Sequence, residues 1–175
     1  MAINNARLGR VHAALGHRQR DFLDLLPLFF HLNHPLLPGY QCENPPAGIV
    51  NYSPTSHSLE AARRLTKRLI TTGRIHAKPD LLAIYLIGST GSIAHSSDSD
   101  FDIWVCHRRG LSQRQLQDLQ KKAEIIRSWA ASLGLETHFF VLNDEDFRDG
   151  VHRRLSSENS GSVQHQLLVE EFYRT

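Results

Sequence analysis

The sequence predicts an α+β (α/β) domain with a small sheet packed by helices, and three observations carry that reading. Leu81-Leu-Ala-Ile-Tyr-Leu-Ile87 is a short, unbroken apolar run bounded by Pro79 and Gly88, which suits a buried strand. Phe101 to Cys106 and Leu135 to Leu142 are two further runs of β-forming residues. Between these two, Gln113 to Leu133 repeats apolar residues at helical spacing. Strands that alternate with helices in this way must bury a sheet face under a helix layer.

Taken in order, residues Asn4 to about Leu32 read as helical, with a break or kink at Pro27. The apolar positions Leu8, Val11, Leu15, Phe22, Leu25 and Leu26 recur roughly at helical spacing. Asn33 to Pro54 is rich in Pro, Gly and Asn and reads as a long loop laid over the surface. Ser56 to about Thr72 is a second helix, striped by Leu59, Ala62, Leu65, Leu69 and Ile70 and stopped by Gly73. In the long third helix, Ser112 and Gln115 have the spacing of a capping box and Gly134 offers a stop. Asn143 to Arg148 reads as a short capped turn, Arg153 to Gly161 as polar loop, and Val163 to Tyr173 as a last helix. Residues 1–78 form a helical amino-terminal segment packed on a core of residues 79–175, the two making one compact domain.

Composition excludes several classes. The chain has 175 residues, enough to bury a core, and a formal net charge of +2, too small to argue for a nucleic-acid or membrane partner. Cys42 and Cys106 form no CxxC pair, so a reducing cytoplasm is the expected setting. The longest clean apolar run is far short of a membrane span, and no transmembrane segment is expected. Eleven histidines are scattered, with no HExxH and no zinc spacing, and they read as surface and loop imidazoles.

The segment that carries chemistry is Ile87-Gly-Ser-Thr-Gly-Ser-Ile-Ala-His-Ser-Ser-Asp-Ser-Asp-Phe-Asp-Ile-Trp104. Alternation along a strand turns Asp100 and Asp102 to one face and Phe101 and Ile103 to the core. Their Cα atoms are then roughly 6.5–7 Å apart, close enough for the carboxylates to converge on divalent ions. Acids interleaved with large apolar residues are costly on a buried strand unless a cation meets them. Oxygen-only ligands favour Mg²⁺, with Mn²⁺ as the alternative. Gly88 and Ser89 directly follow a strand, where glycine permits close backbone approach and the turn's N–H groups can form an anion nest. The segment lacks both the Gly-Lys of a P-loop and the GxGxxG fingerprint. The two halves together make a triphosphate cradle facing a carboxylate pair.

Other residues stay open at this level. A lone Asp-x-Asp is common as a turn or solvated edge, but the flanking Phe101, Ile103, Trp104 and Val105 weaken that reading. Glu136 serves equally as a third carboxylate brought in by the next strand or as a surface residue at a strand end. Trp104 shares the face of the aspartates and either borders a nucleotide or is a core aromatic. Ser99 either bonds a phosphate or fixes the loop. Lys121, Lys122, Arg108, Arg109 and Arg114 follow the site and read mostly as a solvated face, with one or more able to meet a triphosphate.

The pattern Gly88-Ser89 followed by Asp100-Phe-Asp102 resembles the DNA polymerase beta-type nucleotidyltransferase superfamily. More narrowly, Gly88-Ser-Thr-Gly-Ser, Ser97-Asp-Ser-Asp-Phe-Asp-Ile-Trp-Val-Cys-His107, Ser128-Trp-Ala-Ala-Ser-Leu-Gly134, Gln164-His165 and Glu171-Phe-Tyr-Arg-Thr175 resemble the class I adenylate cyclases of gammaproteobacteria. The resemblance implies a nucleotidyltransferase-like mixed sheet and conversion of ATP to cyclic AMP and diphosphate with Mg²⁺. It implies metal binding by Asp100 and Asp102, catalysis by these with Glu136, and nucleotide binding by Gly88, Ser89, Ser99 and Trp104. Members of that family are considerably longer, so the chain is expected to correspond to their amino-terminal catalytic portion. Regulation by the sugar phosphotransferase system is expected to act through the remainder and not through this part. The competing readings are a nucleotidyltransferase that modifies a protein, RNA or small molecule, and a nucleotide-binding module without turnover.

Overall fold

A computed structural model describes residues 15–42, 44–67, 78–87 and 100–143. Within them lie three helices and three strands in the order α1 (His17–His31), α2 (Ser56–Leu65), β1 (Leu81–Ile87), β2 (Phe101–His107), α3 (Gln113–Ser132) and β3 (Thr137–Leu142). The predicted capped turn at 143–148 and last helix at 163–173 fall, beyond Asn143, outside the described residues.

The sheet is mixed, with order β1-β2-β3. β1 runs antiparallel to β2, and β3 runs parallel to it. In register, Phe101 sits opposite Thr137, Ile103 opposite Phe139 and Val105 opposite Val141. These pairs share one face, and it is buried: Phe101, Ile103, Val105, Phe139 and Val141 belong to the same core as residues of α1 and α3. The alternate residues, Asp102 with His138 and Trp104 with Phe140, share the other face.

α1 and α3 cover the core face. α3 buries Leu119, Lys122, Ala123, Ile126 and Ala130, a stripe at three-, four- and seven-residue intervals. Both its ends are fixed locally. The Ser112 hydroxyl accepts from the Gln115 N–H at 3.3 Å, and the Gln115 side chain accepts from the Ser112 N–H at 2.9 Å, the reciprocal pair of a capping box. At the other end Gly134 takes φ +76, the Gly134 N–H bonds Ala131 O at 3.0 Å, and the Leu135 N–H reaches back to Ala130 O at 3.1 Å. That is a Schellman stop, which only a residue free of a Cβ penalty adopts readily.

Of the break or kink expected near Pro27, the break does not occur: α1 continues through it. Proline there removes one helical hydrogen bond, at a cost of about 3 kcal/mol. Phe22, Leu25, Leu26, Leu28, Phe29 and Phe30 are all buried around it, and each large apolar side chain returns roughly 1.5–3 kcal/mol. Phe22 and Phe29 both pack on Trp129 of α3, with ring centroids 5.9 and 5.2 Å apart, and Phe30 packs on Phe139 at 6.0 Å. The Gln19 side chain bonds Leu133 O at 3.2 Å, tying the start of α1 to the end of α3.

α2 is shorter than expected. It starts as predicted, with Thr55 as N-cap accepting from the Ser58 N–H at 3.1 Å, but ends at Leu65. Thr66 is extended, as suits its β-branched side chain. Gly73, the expected stop, is outside the described residues. Only the small residues Ser58, Ala61 and Ala62 are buried in α2, so its backbone lies close against α1.

The segment expected to lie over the surface is in part structural interior. Leu37, Ala47 and Ile49 are buried. The Leu81 N–H bonds Gly48 O and the Val50 N–H bonds Leu81 O, each at 3.0 Å, so Ile49 forms a parallel bridge to the first residue of β1. The apolar Ala47-Gly-Ile-Val50 run within a Pro-rich loop explains this, because its backbone groups find partners on β1 and Ala47 and Ile49 a dry surface, while Val50 stays exposed. Among the described residues no helix is long and apolar enough to cross a membrane.

Lys122 is also not where a solvated helix face would put it. It is 1% exposed, its ammonium donates to Leu32 O at 3.2 Å, and burial pushes its pKa down to about 8.

Two outcomes follow. Gly39 has φ +91, and an added Cβ would lie 3.0 Å from Ile126. Gly39→Ala is therefore expected to lower the unfolding free energy by about 1–3 kcal/mol in urea denaturation followed by circular dichroism. The folded pKa of Lys122 lies below its ordinary 10.5, so the unfolded chain binds the extra proton between these values. Its contribution to stability is fully present above 10.5 and is lost as pH falls to about 8. The wild type should thus gain stability, on the order of 3 kcal/mol at most, across this window, and Lys122→Met should abolish that gain when urea midpoints are compared at its two ends.

Candidate active site

Asp100 immediately precedes β2, and Asp102 is its second residue. The parallel ladder begins one step before β3: the Phe101 N–H bonds Glu136 O at 3.0 Å, and Asp102 pairs with His138. At each strand one residue just before it and one within it, Asp100 and Asp102 at β2 and Glu136 and His138 at β3, are thereby set side by side on the face away from α1 and α3. Asp100, Asp102, Glu136 and His138 form a block at one end of the sheet.

The side chains converge. His138 Nε2 lies 3.6 Å from Asp100 Oδ2 and 3.7 Å from Glu136 Oε1. Ligand atoms of Asp100, Glu136 and His138 all fall within 4.8 Å of one another. The side chains of Asp100 and Glu136 are 49% and 67% exposed, whereas His138 is 25% exposed. Asp102 is half-buried. Its carboxyl is held above the usual carboxylate range, first by burial and then by the neighbouring Asp100, with His138 opposing the shift. A partly buried acid whose ionisation is opposed by burial and by a neighbouring carboxylate is stabilised in its charged form by any cation that reaches it.

Glu136 therefore stands beside Asp100, the juxtaposition that strand pairing made possible but sequence left open. Trp104 occupies the face of Asp102, as alternation predicts. It is 6% exposed and packs on Phe140 with ring centroids 5.9 Å apart. β1 ends at Ile87, which pairs with Asp102. Gly88, Ser89 and Ser99 lie outside the described residues.

His138 is the member that sequence reading missed among eleven scattered histidines. Its signal was present: Glu136-x-His138 repeats on β3 the two-residue spacing of Asp100-x-Asp102 on β2. Only the register shows that the two pairs face the same way. Of the basic residues considered for a triphosphate, Lys122 is buried in the core on the opposite side of the sheet, which corrects its placement on a solvated face. Arg108 pairs with Asp80 at 2.8 Å, at the end of β2 remote from Asp102. Lys121 and Arg114 are exposed on α3.

Comparison with known proteins extends beyond the described residues. The sequence profile of the adenylate cyclase NT domain matches residues 1–175. Adenylate cyclase of Salmonella typhimurium strain LT2 is 41% identical over 180 residues, that of Escherichia coli K12 is 39% identical over 180, and that of Proteus mirabilis is 37% identical over 177. Each alignment covers 99% of this chain but only 20–21% of the relative. No solved structure matches the chain. A profile match over every residue, together with relatives near 40% identity from end to end, places this chain in the adenylate cyclase NT domain family.

Proposed function

We propose that this chain forms the metal- and triphosphate-binding part of an adenylate cyclase that converts ATP to 3′,5′-cyclic AMP and diphosphate. The observation that carries the reading is the gathering of Asp100, Asp102 and Glu136 at one end of one sheet face, where β1 delivers the chain into Gly88-Ser89. A central strand bearing Asp-x-Asp, with a third carboxylate at the mouth of its parallel neighbour, fits a nucleotidyltransferase-like core. Family membership supports ATP as substrate and this reaction over other nucleotidyl transfers.

The donor set fits a divalent cation: carboxylate oxygens from two adjacent strands, partly dehydrated at Asp102, suit Mg²⁺ or Mn²⁺. Such an ion would neutralise triphosphate charge and make the 3′-hydroxyl more acidic. Asp100 and Asp102 would hold it, and Glu136 would complete the negative pocket. In the reaction the 3′-oxygen bonds to the α-phosphorus as the bridging oxygen to the β-phosphorus departs with diphosphate. The carboxylates orient the hydroxyl and receive its proton. We assign Gly88, Ser89 and Ser99 to binding of the nucleotide's triphosphate. Trp104, backed by Phe140, bounds the nucleotide site. Most of the catalysis is then positioning and charge neutralisation. Free thiols at Cys42 and Cys106 accord with a reducing, cytoplasmic setting.

Labelled ATP with Mg²⁺ tests the reading. Cyclic AMP formation should fall at least about 100-fold in Asp100→Asn and in Asp102→Asn, with unchanged far-ultraviolet circular dichroism. Wild-type turnover in both variants would remove the site assignment. Label transferred to an acceptor without cyclic product would replace cyclisation by another nucleotidyl transfer, and calorimetric binding of Mg²⁺-ATP without turnover would leave a nucleotide-binding module.

A further inference from the structure

We infer that His138 is a metal ligand, and that its imidazole makes this centre prefer Co²⁺, Zn²⁺ and Mn²⁺ over Mg²⁺. The inference rests on the carboxylate site proposed above and adds a nitrogen donor to it.

Geometry places one imidazole nitrogen between two carboxylates. The same atom, His138 Nε2, faces both Asp100 Oδ2 at 3.6 Å and Glu136 Oε1 at 3.7 Å. Both separations exceed a hydrogen bond, which is about 2.7–3.2 Å for N–H···O. They approach the span of two atoms bound to one ion. Donors about 2.1 Å from a common metal lie roughly 3.4 Å apart at a tetrahedral angle, and roughly 3.0 Å apart at an octahedral right angle. The observed 3.6 and 3.7 Å lie a little outside both spans, so a small inward movement of the donors would close them on one ion.

Placement supports the same conclusion. The register sets His138 directly beside Asp102, two residues from Glu136, so the donor set gathers where β2 and β3 begin, with His138 within β3 and Asp100 and Glu136 each one residue before a strand. His138 is the least exposed of the three clustered ligands, and a half-buried side chain on a paired strand has few orientations open to it. Imidazole is a softer donor than carboxylate: it strengthens binding along the series from Mn²⁺ through Co²⁺ to Zn²⁺ and adds little for Mg²⁺.

The test is metal binding by the 175-residue chain without nucleotide. Co²⁺ is titrated and followed by its visible absorption, Zn²⁺ and Mn²⁺ are titrated by calorimetry, and Mg²⁺ is measured by displacement of Co²⁺. The wild-type Co²⁺ complex should show the intense band of a low-coordinate centre with nitrogen. His138→Asn should weaken Co²⁺ and Zn²⁺ at least about 10-fold and leave Mg²⁺ within about 3-fold, while Asp100→Asn weakens all four ions. The exposed His57, replaced by alanine, controls for adventitious imidazole binding and should change nothing. A weak, octahedral wild-type spectrum, or His138→Asn binding Co²⁺ as the wild type does while Asp100→Asn does not, overturns the role of His138 and leaves the carboxylate site standing. Ion binding that is indifferent to Asp100→Asn, or no ion binding at all, overturns both.

Discussion

The parallel pairing of β2 with β3 is the constraint on which the rest depends. One register decides two things at once. It lays Ile103 against Phe139 and Val105 against Val141 beneath the helices, and it sets Asp102 against His138 on the other side. A slip of one residue would exchange the faces, burying the acids under α1 and α3 and exposing the aromatic core. Hydrophobic burial thus fixes the position of the carboxylates, although none of them contributes to the core.

The same division explains the electrostatics. The helix-covered face is largely apolar; its buried polar groups include Thr137 and Lys122, whose ammonium donates to the Leu32 carbonyl at the end of α1. The opposite face concentrates acid at one end, with Asp102 partly withdrawn from water and its ionisation opposed by Asp100. Isolated from a cation, such a cluster is held against its own repulsion by the sheet beneath it. The stabilisation that builds the site comes from Phe101, Ile103 and Phe139, and the acids draw on it. Such a separation of scaffold from chemistry is common where charge must be pre-arranged for a bound ion.

Much of this was legible from local pattern. β1 and β2, the start of α3 at Ser112 and its stop at Gly134 all stand close to where periodicity and capping residues put them. What escaped was decided by contacts distant in sequence. Pro27 sits mid-helix because six surrounding residues are buried. Residues 47–49 are interior because β1 offers this stretch a backbone partner. Glu136 and His138 acquired their neighbours only through strand order, which local composition does not encode. Asp100 and Asp102 could be singled out because their two-residue spacing is visible within one strand, whereas a site shared by two strands is half-hidden.

The doubly fixed helix α3 also bears on how quickly the chain finds this arrangement. β2 and β3 residues that pair are 36 positions apart, as Asp102 and His138 show, and such a closure is slow when the intervening chain is loose. Twenty of those residues form a helix whose first and last turns are each closed by hydrogen bonds local to them. Once formed, it is a rod about 30 Å long that leaves only short segments at each end to search. Shortening the flexible part of the loop recovers less than about 1 kcal/mol of closure entropy. The larger effect is on time: a helix that forms in about a microsecond or less can precede the parallel pairing and carry β3 to β2 as a unit.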